Sequence, residues 1–264
     1  LGQPMLNVNV FGDWGKLGLF VMTGFRERTF PDAEGRFRGP FPIDVDNAIY
    51  EADAEEWHVD FAVRYEHSID ALDFGVSYFY GTNREPGFVP VMTPSGMVLR
   101  PYYELMSQFG VDAAYAIGDL ILKGEAIYRW GQGDPFFATV VGGEYTFKQA
   151  FDDVDLGLLL EYNFDDRSAA AAGTAFNALF DNDVFGGIRL SFNDESDTHI
   201  LLGALVDVNE GSSYLYVESS TRIADDWRLG VEARVLTGES ATDPLSLVDR
   251  DSYVQLRATK YFSL

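Results

Sequence analysis

The side chains of this chain that could do chemistry are arginines, lysines and carboxylates set at even intervals: Arg26 and Arg28; Asp60, Arg64 and Glu66; Lys123, Glu125 and Arg129; Glu218 and Arg222; Glu232 and Arg234. Asp112, Glu144, Glu161, Arg189 and Arg257 take the same alternate places in their own segments. An even interval puts side chains on one face of a β-strand. Rows of fixed charge of both signs along such faces suit a water-filled conduit, where they would lie across a transverse field and guide polar or charged solutes. Opposite signs are expected to brace one another between neighbouring strands, with Lys123 and Glu125 beside Asp112, and Glu218 and Arg222 beside Arg228 and Glu232. Bond-making chemistry has no comparable support. His58, His67 and His199 are far apart in sequence and there is no Cys. Zinc spacing, a Walker loop, a G-x-S-x-G elbow and a dinucleotide fingerprint are all missing. His67 and Ser77 would fall on opposite faces of their strands, so they cannot form a dyad. The chain is therefore expected not to be an enzyme, and no cofactor or metal is expected.

Strands must carry these rows. Period-two alternation bounded by turn residues predicts about thirteen of them, near 6–11, 15–28, 57–68, 72–81, 102–117, 120–130, 136–147, 154–163, 183–193, 198–208, 213–223, 227–237 and 252–262. Most have about the ten residues that cross a bilayer at a tilt. Opposite the charges lie Leu17, Leu19, Val21 and Phe25; Val59, Phe61, Val63 and Tyr65; Phe109, Val111, Ala113 and Tyr115; Leu156, Leu158 and Leu160; and Leu229, Val231 and Val235. In a soluble barrel the apolar face would be the interior. A charge facing lipid at mid-membrane costs about 2–4 kcal/mol, so a charged lumen and an apolar exterior follow from the same alternation. The last strand ends with Val254, Leu256, Ala258 and Phe262 on one face, as a membrane strand does.

The connections alternate in length. Asp13-Trp14, Ile69-Asp70-Ala71, Gly118-Asp119, the turn from Lys148 to Asp153, Asp194 to Asp197, and Ala224-Asp225-Asp226 are short; Thr29 to Glu56, Thr82 to Pro101, Phe164 to Asn182 and Gly238 to Asp251 are long. Outer-membrane barrels have short periplasmic turns and long external loops. Gly131 to Pro135 and Asn209 to Ser212 are short connections on the external side. The expected fold is all-β: a transmembrane, antiparallel, up-and-down β-barrel in the bacterial outer membrane. An odd number of strands with a periplasmic C-terminus would put Leu1 outside, whereas bacterial single-chain barrels have even numbers. Residues 1–264 are therefore expected to be the C-terminal portion of a longer protein whose full barrel has about 14–16 or more strands.

A net charge of −23 excludes nucleic acid as a partner. Acidic residues gather in expected loops, as at Asp44, Asp46, Glu51, Asp53, Glu55 and Glu56, where they make a solvated surface or bridge to anionic lipid headgroups through divalent ions. Trp14, Trp57, Tyr78, Tyr80, Tyr128, Trp130, Tyr145, Phe147, Tyr162, Phe192, Trp227 and Phe262 lie near strand ends, as interfacial girdles do. Gly75, Gly110, Gly142, Gly157 and Gly187 fall on the charged face, where they leave room for neighbouring side chains.

Several segments resemble a family of proteobacterial porin-like outer-membrane β-barrel proteins. They are Leu1-Gly2-Gln3-Pro4-Met5, Trp14-Gly15-Lys16-Leu17, Gly24-Phe25-Arg26-Glu27-Arg28-Thr29-Phe30-Pro31, Gly81-Thr82-Asn83-Arg84-Glu85-Pro86, Gly143-Glu144-Tyr145-Thr146-Phe147 and Asp181-Asn182-Asp183-Val184-Phe185-Gly186-Gly187-Ile188-Arg189-Leu190. The resemblance implies further strands upstream of the first segment. It singles out Arg26, Glu27, Arg28, Arg84 and Glu85. Arg26, Arg28, Arg36 and Arg38 would climb into the longest loop, which could fold inward and narrow the pore. The expected function is a channel for polar or charged small solutes. Transport of apolar molecules, with Phe20, Met22, Phe79 and Leu159 on the inner parity, or a plugged barrel acting through its loops remain as alternatives. Expected partners are outer-membrane lipid, the barrel-assembly machinery through the last strand, and a solute whose identity the sequence does not carry.

Overall fold

The computed structural model describes residues 2–32, 34–35, 39, 41–167, 181–238 and 248–262. It is all-β. Among the described residues sixteen strands form: β1 (Met5–Gly12), β2 (Gly15–Thr23), β3 (Ile49–Tyr50), β4 (Val59–Ile69), β5 (Leu72–Thr82), β6 (Gly87–Thr93), β7 (Gly96–Tyr103), β8 (Leu105–Ile117), β9 (Leu120–Gly131), β10 (Gly133–Phe151), β11 (Val154–Asp165), β12 (Asn182–Ser191), β13 (His199–Asp207), β14 (Ser213–Ala224), β15 (Trp227–Thr237) and β16 (Tyr253–Lys260). Thirteen make one large antiparallel sheet in the order β1-β2-β4-β5-β8-β9-β10-β11-β12-β13-β14-β15-β16. These are the thirteen expected from the alternation. Among the described residues no ladder joins β1 to β16. No described helix is long and apolar enough to cross a membrane.

The other three strands were not expected. β3, β7 and β6 form a small separate sheet, β3 parallel to β7 and β6 antiparallel to it, built from segments that read as loop. Prolines hid it: Pro90 lies in β6, an edge strand where a missing N–H is tolerated, and Pro101 lies in β7.

The first long strand is also shorter than expected. β2 stops at Thr23 because Gly24 adopts a φ of 97°, which only glycine takes readily, and an added Cβ there would press on Trp57. Arg26 and Arg28 therefore leave the large sheet. Phe25, expected on the apolar exterior, instead turns inward and is 6% exposed. Arg36 and Arg38 lie outside the described residues.

The chain forms two compact units, Leu1–Ala113 with Glu125–Thr139 and Asp165–Ala178, and Ala114–Gly124 with Val140–Phe164 and Leu179–Leu264. In the first, one sheet face exposes Leu19, Phe61, Tyr80, Phe109 and Val111, and the other carries Lys16, Asp60, Arg64, Glu66 and Asp112. In the second, Leu158, Leu160, Ile188, Leu202, Leu215 and Leu229 are exposed on the face opposite Glu144, Arg189, Glu218 and Glu232. Buried apolar side chains are few: among the described residues Met22, Phe25, Tyr103, Met106, Phe136 and Leu205, besides Pro86 and Pro101. All but Leu205 belong to the first unit, where the small sheet and its flanking turns meet the large one.

Candidate functional site

The densest polar construction lies in the first unit, where β4, β5, β8, β9 and β10 end and the long connections begin. Asp60, on β4, is 0% exposed. Its Oδ1 accepts from the Thr82 backbone N–H at 3.0 Å and lies 2.7 Å from His58 Nδ1, while Arg84 Nη2 bonds Oδ2. A Cβ on Gly81 would overlap the Asp60 carboxyl, so the residue beside it must be glycine. Arg84 also donates to the Thr82 carbonyl and to Gln3 Oε1 at 3.1 Å, and its guanidinium lies 4.6 Å from the Phe25 ring centroid. This stacking explains why Phe25 is drawn in. The ring is closed over by Tyr103, 5.1 Å away, which stacks with Tyr50 at 5.5 Å.

The next residues along the chain form a second cluster. Asn83 and Gln132 are 1% and 6% exposed and bond through their side-chain amides. Together they clamp the backbone of Glu85, whose N–H donates to Asn83 Oδ1 at 2.9 Å and whose carbonyl accepts from Gln132 Nε2 at 2.8 Å. The Glu85 carboxylate meets Arg129 Nη1 at 3.1 Å and Arg167 Nη1 at 3.4 Å. Gln108 Oε1 fixes Arg129 Nε at 2.9 Å and Asp165 Oδ2 fixes Arg167 Nη2 at 2.9 Å. Both guanidiniums lie against Phe136, with centroid distances of 5.3 Å for Arg129 and 4.2 Å for Arg167. Burial works against the charge of Glu85, but Arg129, Arg167 and Arg28 outweigh it and hold its carboxyl below the usual range.

The small sheet and its flanking turns add acids of the opposite tendency. Burial raises the Glu27 carboxyl, helped by Glu56 and Asp46, and burial then Glu51 raises Glu104. Burial likewise raises the Tyr103 hydroxyl, although that oxygen accepts from the Arg28 N–H at 3.0 Å. Asn47 and Arg100 hold Asp44 low, with Arg100 Nε 3.0 Å from it.

Elsewhere on the charged faces, ion pairs reach over an intervening strand. Arg64 on β4 passes across β5 to bond Asp112 on β8 through Nη1 at 2.7 Å and Nη2 at 3.0 Å, while its Nε bonds Glu66 at 2.7 Å. Gly75 lies beneath, and a Cβ there would overlap the guanidinium. In the second unit Arg189 on β12 crosses β11 to Glu144 on β10 above Gly157. Glycine on the charged face leaves room for each crossing pair, and Gly75 is the position where a Cβ would overlap it.

These pairs replace some of those expected. Asp112 pairs with Arg64, not with Lys123 or Glu125, which are both exposed. Glu218 stands opposite Glu232, and Arg222 opposite Arg228, so the β14–β15 register juxtaposes like charges. The repulsion is relieved sideways: Tyr216 bonds Glu218, Tyr253 and Arg234 bond Glu232, and Arg228 bonds Asp197 at 2.6 Å and Ser220 at 2.9 Å. Arg222 and Arg257 are exposed, and Glu161 faces Gly142 closely enough that a Cβ would overlap its chain. Arg26 is exposed and has no ion pair among the described residues.

Of the expected contact residues, the structure brings Asp60 and Arg84 together, and likewise Glu85 and Arg129, Arg64 and Asp112, Glu144 and Arg189, and Glu232 and Arg234. His58, Asn83, Gln132, Phe136 and Arg167 were missed. Arg167 falls in a stretch that read as external loop, and Asn83 and Gln132 carry no charge to mark them. Comparison with protein-family models, with curated proteins and with solved structures returned no match.

Proposed function

We propose that the chain belongs to an outer-membrane β-barrel channel that passes polar or charged small solutes along its charged face. The observation that carries this is the inversion of the large sheet. Large apolar side chains are exposed along one face in both units, with Leu160 at 62% and Leu256 at 78%, while paired charges occupy the other. Exposed apolar area of this extent is costly in water and satisfied by lipid. An antiparallel sheet in a bilayer must close on itself, and thirteen antiparallel strands close antiparallel only with an odd number of further strands between β16 and β1.

In this arrangement the Asp60–Arg84 and Glu85–Arg129–Arg167 clusters stand on the side of the long connections, at the external end of the conduit. Arg26 and Arg28 lie at its mouth. The test is single-channel conductance of the full-length protein in a planar bilayer, with Arg26→Glu and Arg28→Glu together as the perturbation. Stable steps whose anion preference falls in the double variant are expected. No conductance from correctly folded protein would refute an open conduit.

A further inference from the structure

Glu85 is outnumbered. Two guanidiniums point at its carboxylate from Arg129 and Arg167, and the charge of Arg28 acts on it as well. Each arginine is held from behind, by Gln108 and by Asp165, and both rest on the same buried ring of Phe136. They would keep their places if Glu85 withdrew. Arg167 Nε, moreover, is buried with no hydrogen-bond partner, a donor the site leaves unused.

Glu85 itself is held differently. Asn83 and Gln132 fix its backbone, whereas its side chain is 53% exposed. Its carboxylate can swing away while the loop stays in place. Asp165 balances the charge of Arg167, so with Glu85 withdrawn the two guanidiniums and Asp165 leave one positive charge uncompensated against the Phe136 ring, and an incoming anion relieves it. Forked guanidinium donors match a planar carboxylate bidentately.

We propose that Arg129 and Arg167 form a binding subsite for the carboxylate of a small organic acid, and that Glu85 is an internal carboxylate that occupies this subsite until a solute displaces it. The proposal deepens the channel function and rests on it for the route by which solute arrives. A tethered carboxylate acts at an effective concentration of about millimolar or more, so an incoming acid competes against it and binds weakly to the native chain. Such a subsite admits organic anions and releases them quickly, as conduction requires.

The experiment uses full-length protein folded in detergent micelles, with ¹⁵N-arginine labelling to follow the Nε–Hε resonances of Arg129 and Arg167 during titration with sodium acetate. Glu85→Gln removes the competing charge and keeps the shape. Its acetate midpoint is expected at a concentration lower than the native one by at least about tenfold. Glu85→Asp, with a shorter reach, is expected between the two and serves if Glu85→Gln misfolds. Adding Arg167→Gln to Glu85→Gln should abolish the response. Equal midpoints in native protein and variants, or no response in any, overturns the proposal. Inorganic phosphate or methylammonium titrating at lower concentration than acetate overturns the carboxylate assignment. Because the readout needs no conduction, acetate binding by a protein that fails to conduct would refute the open conduit and leave the subsite standing.

Discussion

Replacing Gly75 by alanine tests whether the ion pairs that span two strands depend on glycine. The added Cβ would overlap the Arg64 guanidinium and come 2.8 Å from Asp112 Oδ1. The guanidinium ends a flexible side chain and can move aside, so the backbone is spared and the cost is the bidentate pair itself. Charge-assisted hydrogen bonds contribute about 1.5–3 kcal/mol when buried. Arg64 and Asp112 are 34% and 36% exposed, which reduces the pair to about 1–2 kcal/mol. Against this, alanine in a strand gains about 0.5–1 kcal/mol over glycine. A net loss of about 0.5–1 kcal/mol remains, or about two- to fivefold in the folding equilibrium. Gly157→Ala should cost less, because its Cβ meets Glu144 Oε1 at 3.1 Å and Arg189 Cβ at 3.4 Å, contacts that a small shift relieves. Gly186→Ala, with nothing within 4 Å of its Cβ, should stabilise by about 0.5–1 kcal/mol. Urea unfolding in lipid vesicles reads all three, and Gly75→Ala is repeated on Asp112→Asn. An unaltered midpoint for Gly75→Ala, or the same penalty when Asp112 is already neutral, would refute the dependence.

Leu160→Arg should cost about 2–4 kcal/mol in vesicles, while Glu161→Arg on the opposite face of β11 should cost much less, and equal costs in the same unfolding assay would contradict a lipid-facing Leu160. Asp60→Ala removes the acceptor for Thr82, His58 and Arg84 at a fully buried site, and a loss of about 3–5 kcal/mol is expected by the same measurement. Burial and Glu51 raise the Glu104 carboxyl above its ordinary 4.5, so the folded chain takes up that proton more readily than the unfolded one; its contribution is complete below about pH 4.5 and lost as pH rises through the folded value. Glu104→Gln should therefore be more stable than the native protein at pH 7 and indistinguishable from it at pH 4, compared by denaturant midpoints at both.

The large sheet was legible because one face of every strand is held to a single rule. Where one face carries no charge, alternation survives end to end, as from Leu156 to Leu160, and thirteen strands can be read from it. Strand ends follow a different physics. Gly24 stops β2 five residues before the alternation does, because Arg26 and Arg28 continue the parity without continuing the ladder. Partners on the charged face were less legible, since register decides them. The assumption that neighbours carry opposite signs failed at Glu218 and Glu232, where tyrosines and a second-neighbour arginine do the neutralising. Asp112 was assigned to β9 when its partner lies two strands away on β4, a reach that only the glycine between them allows. In the small sheet Pro90, Pro101 and the short span of β3 conceal strands that exist because they pack against Phe25 and Tyr103, a tertiary cause without a local pattern.

Under the proposed channel function, the two kinds of charge pairing would place selectivity at one end of the first unit. Arg64 and Asp112 each keep about a third of their side chains exposed, so water screens them and they can exchange partners at little cost. Asp60 is dry, with every described partner fixed by a second contact, and a charge so placed cannot rearrange without losing several kcal/mol. Glu85 sits between these extremes. Its backbone is as firmly held as Asp60, yet its carboxylate is as free as that of Asp112. A conduit lined only by hydrated pairs discriminates weakly, and one closed by dry pairs does not conduct. A mobile carboxylate on a rigid mount, facing arginines that stay put when it leaves, satisfies both demands at once. Such a device works only if the mount is rigid, which accounts for two nearly inaccessible amides, Asn83 and Gln132, being spent on the backbone of a single exposed glutamate.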